Sequence, residues 1–327
     1  MINSSKLKKY IIAIFFSVTF FYSASALKAE IKVVTTIQPL HSLVANVMDG
    51  SGDLGLILEG SASPHNFSLK PSHARMLEKA DVIFWFGEDL ESFLEKSLKT
   101  ISTKAKIISF MKLNEIPKLK FREKNIFKHD DHDDHKDEHK DGHDDHKDEH
   151  GHKDAHGHAH GEFDVHLWLD PINAKLMVKE IAHVLSEIDP SNAKKYNENA
   201  DKTSLKIDIM VLEINKSINK KARFITFHDA YQYFEKRFKV PSMGALTVNT
   251  DVQPGAKQIS EIRKHVKEEN IKCIFSEPQF NPKIINVIAE STNIKTGVFD
   301  PLGSTFKPGK SLYFSLIKDL SKNLSGC

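Results

Sequence analysis

Eleven of the chain's 18 histidines fall between Lys128 and Gly161, interleaved with aspartates in one polar stretch from His129 to His160. Imidazole and carboxylate are the ligands that borderline divalent metals accept, so this composition points to Zn²⁺, Cu²⁺ or Ni²⁺. The stretch holds no large apolar residue, so it has nothing from which to pack a core. A plain solvated linker is the alternative, but a linker has no need of a histidine at every third or fourth place. The stretch indicates metal without defining a geometry, so a specific site must come from the folded segments on either side.

Seven histidines lie outside it, and they are not equivalent. His65 stands in Ser63-Pro64-His65-Asn66-Phe67, His166 in Asp164-Val165-His166-Leu167-Trp168, and His228 in Thr226-Phe227-His228-Asp229-Ala230. All three occupy strand ends or strand-to-helix loops, where open α/β sheets gather their ligand sites. His41, His73, His183 and His265 fall inside helical patterns and read as surface or satisfied interior residues. Asp300, in Asp300-Pro301-Leu302-Gly303, is a fourth strand-end candidate. Three neutral imidazoles with one carboxylate or water compose a tetrahedral zinc shell.

The elements that must position these residues alternate. In the first half, β-rich runs are expected at Ile31–Thr36, Leu54–Leu58, Asp81–Phe86 and Ala105–Phe110, with helical patterns from Pro39 to Met48, Pro71 to Lys79 and Glu88 to Leu98. Asp81–Phe86 is almost continuously apolar, as for a strand covered on both faces. In the second half the strand candidates are Ala222–Phe227, Val240–Leu246, Ile271–Phe275 and Lys295–Phe299. Helices are expected at Tyr231–Phe238, Ala256–Asn270, Pro282–Ser291 and over 310–323. Pro171–Ile188 is helical, and a long helical pattern from Pro190 to about Asn219 exceeds the usual globular length. This predicts an α/β protein of two (β/α) lobes with parallel sheets, joined by a long rigid connecting helix.

The N-terminus reads as an export signal. Lys6, Lys8 and Lys9 precede a largely apolar run from Ile11 to Tyr22, and Ala24-Ser25-Ala26 fits small-x-small cleavage. The expected organisation is a signal over 1–26, an N-terminal α/β lobe over 27–128 and the histidine-rich loop over 129–161. The end of that lobe then covers 162–188, the linker helix 189–220 and the C-terminal lobe 221–327. Removing residues 1–26 takes away three lysines and no acids, so 46 basic side chains become 43 against 44 acidic ones, a net −1. That balance argues against a nucleic-acid partner. An even cysteine count in an exported chain, Cys273 and Cys327, suggests one disulfide; two free thiols or a metal site are the alternatives, though the pair lacks zinc-motif spacing.

Three motifs carry a family resemblance: Pro64-His65-Asn66-Phe67-Ser68-Leu69-Lys70-Pro71-Ser72, Phe163-Asp164-Val165-His166-Leu167-Trp168-Leu169-Asp170-Pro171, and Phe227-His228-Asp229-Ala230-Tyr231-Gln232-Tyr233-Phe234. With Cys273-Ile274-Phe275-Ser276-Glu277-Pro278-Gln279-Phe280 and Asp300-Pro301-Leu302-Gly303, the chain resembles the metal-binding solute receptors of ABC importers, and within them the zinc-uptake branch. The resemblance implies one metal held between two lobes by His65, His166 and His228. Manganese members place a carboxylate where this chain has His228, and an all-imidazole triad favours Zn²⁺. For the fourth ligand it offers Asp300, which matches the manganese members' carboxylate, with Glu277 more remote and water as a further choice. An acid before the first histidine is absent, since Pro64 stands there.

The expected function is periplasmic capture of Zn²⁺ by a monomer and delivery to a membrane permease with a cytoplasmic ATPase. No GxxxxGK[ST] run is present, so ATP hydrolysis must come from that partner. The histidine stretch is expected to collect zinc weakly beside the tight site. An extracellular zinc buffer or adhesin is one alternative. A zinc hydrolase is another, with Asp229 as its only offered base; no HExxH is present, and the chain is not expected to be an enzyme.

Overall fold

The computed structural model describes residues 30–122, 124–126, 161–248, 250 and 254–327. The expected signal (1–26) and the histidine stretch (129–160) lie outside the described residues.

The N-terminal lobe is a parallel sheet of β1 (Lys32–Thr35), β2 (Asp53–Leu56), β3 (Val82–Trp85) and β4 (Lys106–Ser109), in the order β2-β1-β3-β4. Every residue of β3 is buried, as its continuous apolar run required. Helices α1 (Gln38–Met48), α2 (Pro71–Glu78) and α3 (Ser92–Thr100) make the crossovers. Pro39 and Pro71 sit in the first turns of α1 and α2, where a missing N–H is harmless.

Between the lobes run α4 (Pro171–Ile188) and α5 (Ala193–Ser217). The Asp170 side chain caps α4 by accepting from Ile172 N at 2.8 Å. The sequence predicts α5 from Pro190, but Pro190–Asn192 forms a 3-10 turn instead. Asp189 organises that turn, accepting from Ser191 Oγ at 2.7 Å, Asn192 Nδ2 at 2.6 Å and Tyr196 OH at 2.9 Å. The 25 residues of α5 span roughly 37 Å at helical rise. Tyr196, Ile207, Met210 and Ile214 are its buried stripe, and the helix packs on α4 and α1 along that face.

The C-terminal lobe repeats the first topology. Strands β5 (Phe224–His228), β6 (Ala245–Thr247), β7 (Cys273–Ser276) and β8 (Lys295–Val298) are parallel in the order β6-β5-β7-β8. The helices are α6 (Gln232–Phe238), α7 (Ala256–Glu268), α8 (Lys283–Thr292) and α9 (Leu312–Asn323). Strand β6 is shorter than the Val240–Leu246 run suggested. Pro241 has no N–H for a ladder, and Gly244 instead bridges antiparallel to Ile126, from the segment that leads into the histidine stretch. A Cβ at Gly244 would lie 2.5 Å from the Asn125 carbonyl oxygen, so only glycine admits this crossing. Ala245 N donates to Asn125 O at 2.8 Å to complete it.

The two lobes are tied at several points. Trp168, fully buried, donates from Nε1 to Pro301 O at 2.7 Å, and its own carbonyl accepts from Tyr313 OH at 2.9 Å. Helix α9, late in the chain, lies on α1 and α5, and Asn46 Nδ2 donates to Lys310 O at 2.8 Å just before it. Cys273 and Cys327 form a disulfide, with Cα atoms 5.5 Å apart, joining the start of β7 to the segment after α9. No helix among the described residues is long and apolar enough to cross a membrane.

Candidate metal centre

His65, His166 and His228 converge in the crevice between the lobes. One ligand atom from each lies within 4.8 Å of the others, the one such group of three or more potential ligands among the described residues. Ring centroids are 5.6 Å (His65–His166), 5.9 Å (His65–His228) and 5.3 Å (His166–His228) apart, nearly an equilateral triangle.

Each histidine is delivered by a different local device. His65 sits in a 3-10 turn, Pro64–Asn66, after β2; Pro64 opens the turn and Ser63 Oγ accepts from His65 N at 3.3 Å. His166 follows an Asx-type loop in which Asp164 Oδ1 accepts from His166 N at 3.0 Å and lies 2.8 Å from His166 Nδ1. His228 is the last residue of β5, and both carboxylate oxygens of Glu277 lie 2.7 Å from its Nδ1. A carboxylate only accepts, so in both pairs the proton belongs on Nδ1 and the Nε2 lone pair is left for a metal. Those two Nε2 atoms are 3.4 Å apart. Two nitrogens of a tetrahedral zinc site, each about 2.0–2.1 Å from the ion, lie about 3.4 Å apart. His166 and His228 thus already stand at zinc spacing.

Burial and charge tune the pair in opposite directions. His166 is held well below the usual imidazole range by burial and then by His228, which keeps it neutral and able to ligate. Burial also pulls His228 down, but the Glu277 carboxylate more than reverses that and raises it. Burial lifts the Asp164 carboxyl to about 7, against its hydrogen bond from His166 and the pull of Arg122.

Behind His228 lies a buried ionic cluster. Arg122 donates from Nε to Asp229 Oδ2 at 2.8 Å and from Nη1 to Glu235 Oε2 at 2.9 Å, with further bonds from Nη2 to both carboxylates. Glu235 also accepts from Ser242 N and Oγ. Arg122 belongs to the segment bound to the edge of the C-terminal sheet, so a residue that precedes the histidine stretch bonds Asp229, the chain neighbour of His228. Gln232 Nε2 donates to Lys120 O at 3.1 Å and to Asp164 Oδ2 at 3.3 Å.

Asp300 is not in the histidine group. Its Oδ1 accepts from Gln279 Nε2 at 3.0 Å and Leu302 N at 3.1 Å, and its Oδ2 from Ser304 Oγ at 2.8 Å and Thr305 N at 3.2 Å. Glu277, the more remote candidate, faces His228 Nδ1 rather than the ligand side. Three of the four helical histidines have other occupations: His73 Nδ1 accepts from Lys70 N at the start of α2, His265 Nε2 lies 3.0 Å from Met243 O, and His183 pairs with Glu187 on the surface; His41 lies outside the histidine group on α1. Sequence reasoning did not find Asp164 or Arg122 as supports. Asp164 had a local signal, an acid two residues before a ligand histidine; Arg122 had none.

The chain matches the family described as Zinc-uptake complex component A periplasmic (ZnuA) over residues 33–327. It is 46% identical over 303 residues to the high-affinity zinc uptake system protein ZnuA of Brucella abortus (strain 2308), covering 90% of this chain and 91% of that one. It is 33% identical over 302 residues to the protein of the same name from Yersinia pestis, covering 91% and 92%. A crystal structure of ZnuA shares the fold with a TM-score of 0.70 at 19% identity, over 90% of this chain and 99% of that one. The chain belongs to the family of periplasmic zinc-uptake components.

Proposed function

We propose that this protein captures Zn²⁺ in the periplasm with His65, His166 and His228 and hands it to the membrane permease of an ABC importer. The observation that carries the reading is the convergence of three imidazoles from distant parts of the chain, two of them with Nε2 atoms already at zinc spacing. Carboxylates on two of the Nδ1 atoms select the ligating tautomer and orient the rings before any ion arrives, which limits reorganisation on binding. Sequence kinship with high-affinity zinc uptake proteins supports the cargo and the transport role. Family membership supports a periplasmic location, with residues 1–26 as the cleaved signal.

The hydrolase alternative needs a base beside a zinc-bound water. Asp229, the base that the sequence offered, is held by Arg122 on both carboxylate oxygens and is not disposed for that role. The histidine stretch is proposed as a set of weaker sites, because its sequence holds no large apolar residue with which to pack and preorganise its ligands as the triad is preorganised.

Calorimetry with competing chelators tests this. The expected result is one tight Zn²⁺ per chain followed by several weak ones. Deletion of residues 129–160 removes only the weak class, and alanine at 65, 166 and 228 removes only the tight one. Retention of the tight class in the triple variant would refute the site.

A further inference from the structure

The Glu277-Pro278-Gln279-Phe280 run contributes Glu277 to His228, but Gln279 has an arrangement that this role does not explain. Gln279 lines the same cavity as the three histidines, together with Ser63, Trp168 and Phe280. Its Nε2 donates to Asp300 Oδ1. Because a carboxylate accepts and never donates, Asp300 determines which end of the amide is the NH2 group. Asp300 is itself pinned by Leu302 N, Ser304 Oγ and Thr305 N, so the amide cannot easily turn over. The other end, Oε1, is buried and has no hydrogen-bond partner. Buried polar atoms in native proteins are nearly always paired, so this one calls for a donor.

The cargo can bring that donor. Three imidazoles leave one position of a tetrahedral zinc shell. A water in that position carries two hydrogens, polarised by the ion, and needs an acceptor nearby. Among the cavity's other acceptors, the Pro301 carbonyl is taken by Trp168 Nε1; Glu277 Oε2 is also buried without a hydrogen bond, but both Glu277 oxygens lie against His228 Nδ1, on the side of the ring away from Nε2. We propose that the fourth zinc ligand is a water held by Gln279 Oε1, and that Asp300 serves the metal through Gln279 rather than by ligating it. Gln279 is then a positioning residue, and the inference rests on the reading of His65, His166 and His228 as the zinc site.

The test uses the full-length protein with Zn²⁺ and, as an optical probe, Co²⁺. Gln279→Leu keeps the side chain's bulk and removes the acceptor. It is expected to weaken tight Zn²⁺ binding by about 10–100-fold, the usual cost of losing an outer partner. It also changes the visible d–d bands of the Co²⁺ form, while the melting temperature of the metal-free protein stays at the wild-type value. Asp300→Asn should weaken binding in the same direction. In the Gln279→Leu background it should add almost nothing, because the two act in series. Zinc affinity within twofold of wild type in Gln279→Leu, with unchanged Co²⁺ bands, overturns the proposal. So does full additivity of the two substitutions, which marks Asp300 as a direct ligand. If His228→Ala loses the tight site while Gln279→Leu changes nothing, only this inference fails. If His228→Ala binds zinc as tightly as wild type, the site itself fails and this inference with it.

Discussion

The two lobes have the same strand order, and their registers can be laid over one another. Thr35 pairs with Phe84 as Thr226 pairs with Phe275, and Trp85 with Ser109 as Ser276 with Val298. On that alignment His228 corresponds to Ile37, Glu277 to Phe86 and Asp300 to Met111. The C-terminal lobe thus carries titratable side chains at or just past the ends of three adjacent strands, where the N-terminal lobe carries apolar ones. Ile37 and Phe86 are fully buried, and Phe86 packs on Trp168 at 4.7 Å. The N-terminal sheet contributes to the proposed metal site through a turn after β2, which brings a half-buried His65. Shared topology therefore does not mean shared side chains: His228, Glu277 and Asp300 stand at strand ends in one lobe, and the corresponding positions of the other are apolar.

The sharpest way to break this contrast is to remove one ligand from each side. His228→Ala should cost more than the roughly 100-fold typical of an outer partner, because it removes a ligand and leaves Glu277 buried without its imidazole. His65→Ala should cost less, since water can enter a half-buried position; equal losses by chelator competition would erase the asymmetry. The next largest effect concerns the charge cluster supporting the C-terminal side. Arg122→Ala strands Asp229 and Glu235 in the interior, and urea unfolding should show a loss of about 3–5 kcal/mol.

The N-terminal lobe has a buried acid of its own, which extends the comparison. Glu91 accepts from Phe86 N at 2.8 Å and Gly87 N at 3.1 Å, and burial raises its carboxyl from 4.5 to about 7. The folded state therefore keeps the proton after the unfolded chain has released it. Stability from this group is full below pH 4.5 and is lost as pH rises towards about 7. The loss amounts to about 3 kcal/mol. Urea unfolding of wild type and Glu91→Gln at pH 4 and pH 8 should show that extra decline in wild type alone. The smallest effect is expected for Glu277→Gln, about 10–100-fold in zinc Kd, because the amide oxygen can still accept from His228 Nδ1 and orient the ring but no longer places a negative charge beside it. No change at all would mean that the carboxylate at this strand end is dispensable.

Much of this architecture was legible in the residues. Continuous apolar runs such as Val82–Trp85 mark strands covered on both faces, and histidines just past such runs mark the ligand edge. What escaped were relations between residues remote in sequence. Arg122 meets Glu235 across 113 positions, and nothing near Arg122 advertises that partner. Asp300 follows a strand in the manner of a ligand, yet its four hydrogen bonds go to Gln279, Leu302, Ser304 and Thr305. The periodicity of α9 predicts a helix but not its seat on α1 and α5. Local pattern specifies elements and exposed chemistry; partner choice in the interior depends on the assembled fold.

Trp168 has a consequence of its own. Its ring lies 5.3 Å from that of His166 and lines the zinc cavity, and it is one of only two tryptophans in the chain. The other, Trp85, sits at the end of β3 and does not line that cavity. Indole emission responds to charge placed beside the ring, so this indole would report an ion bound by the three histidines. With Trp85→Phe, that signal would come from one known position, and the kinetics of loading and unloading could be followed in real time without any added dye.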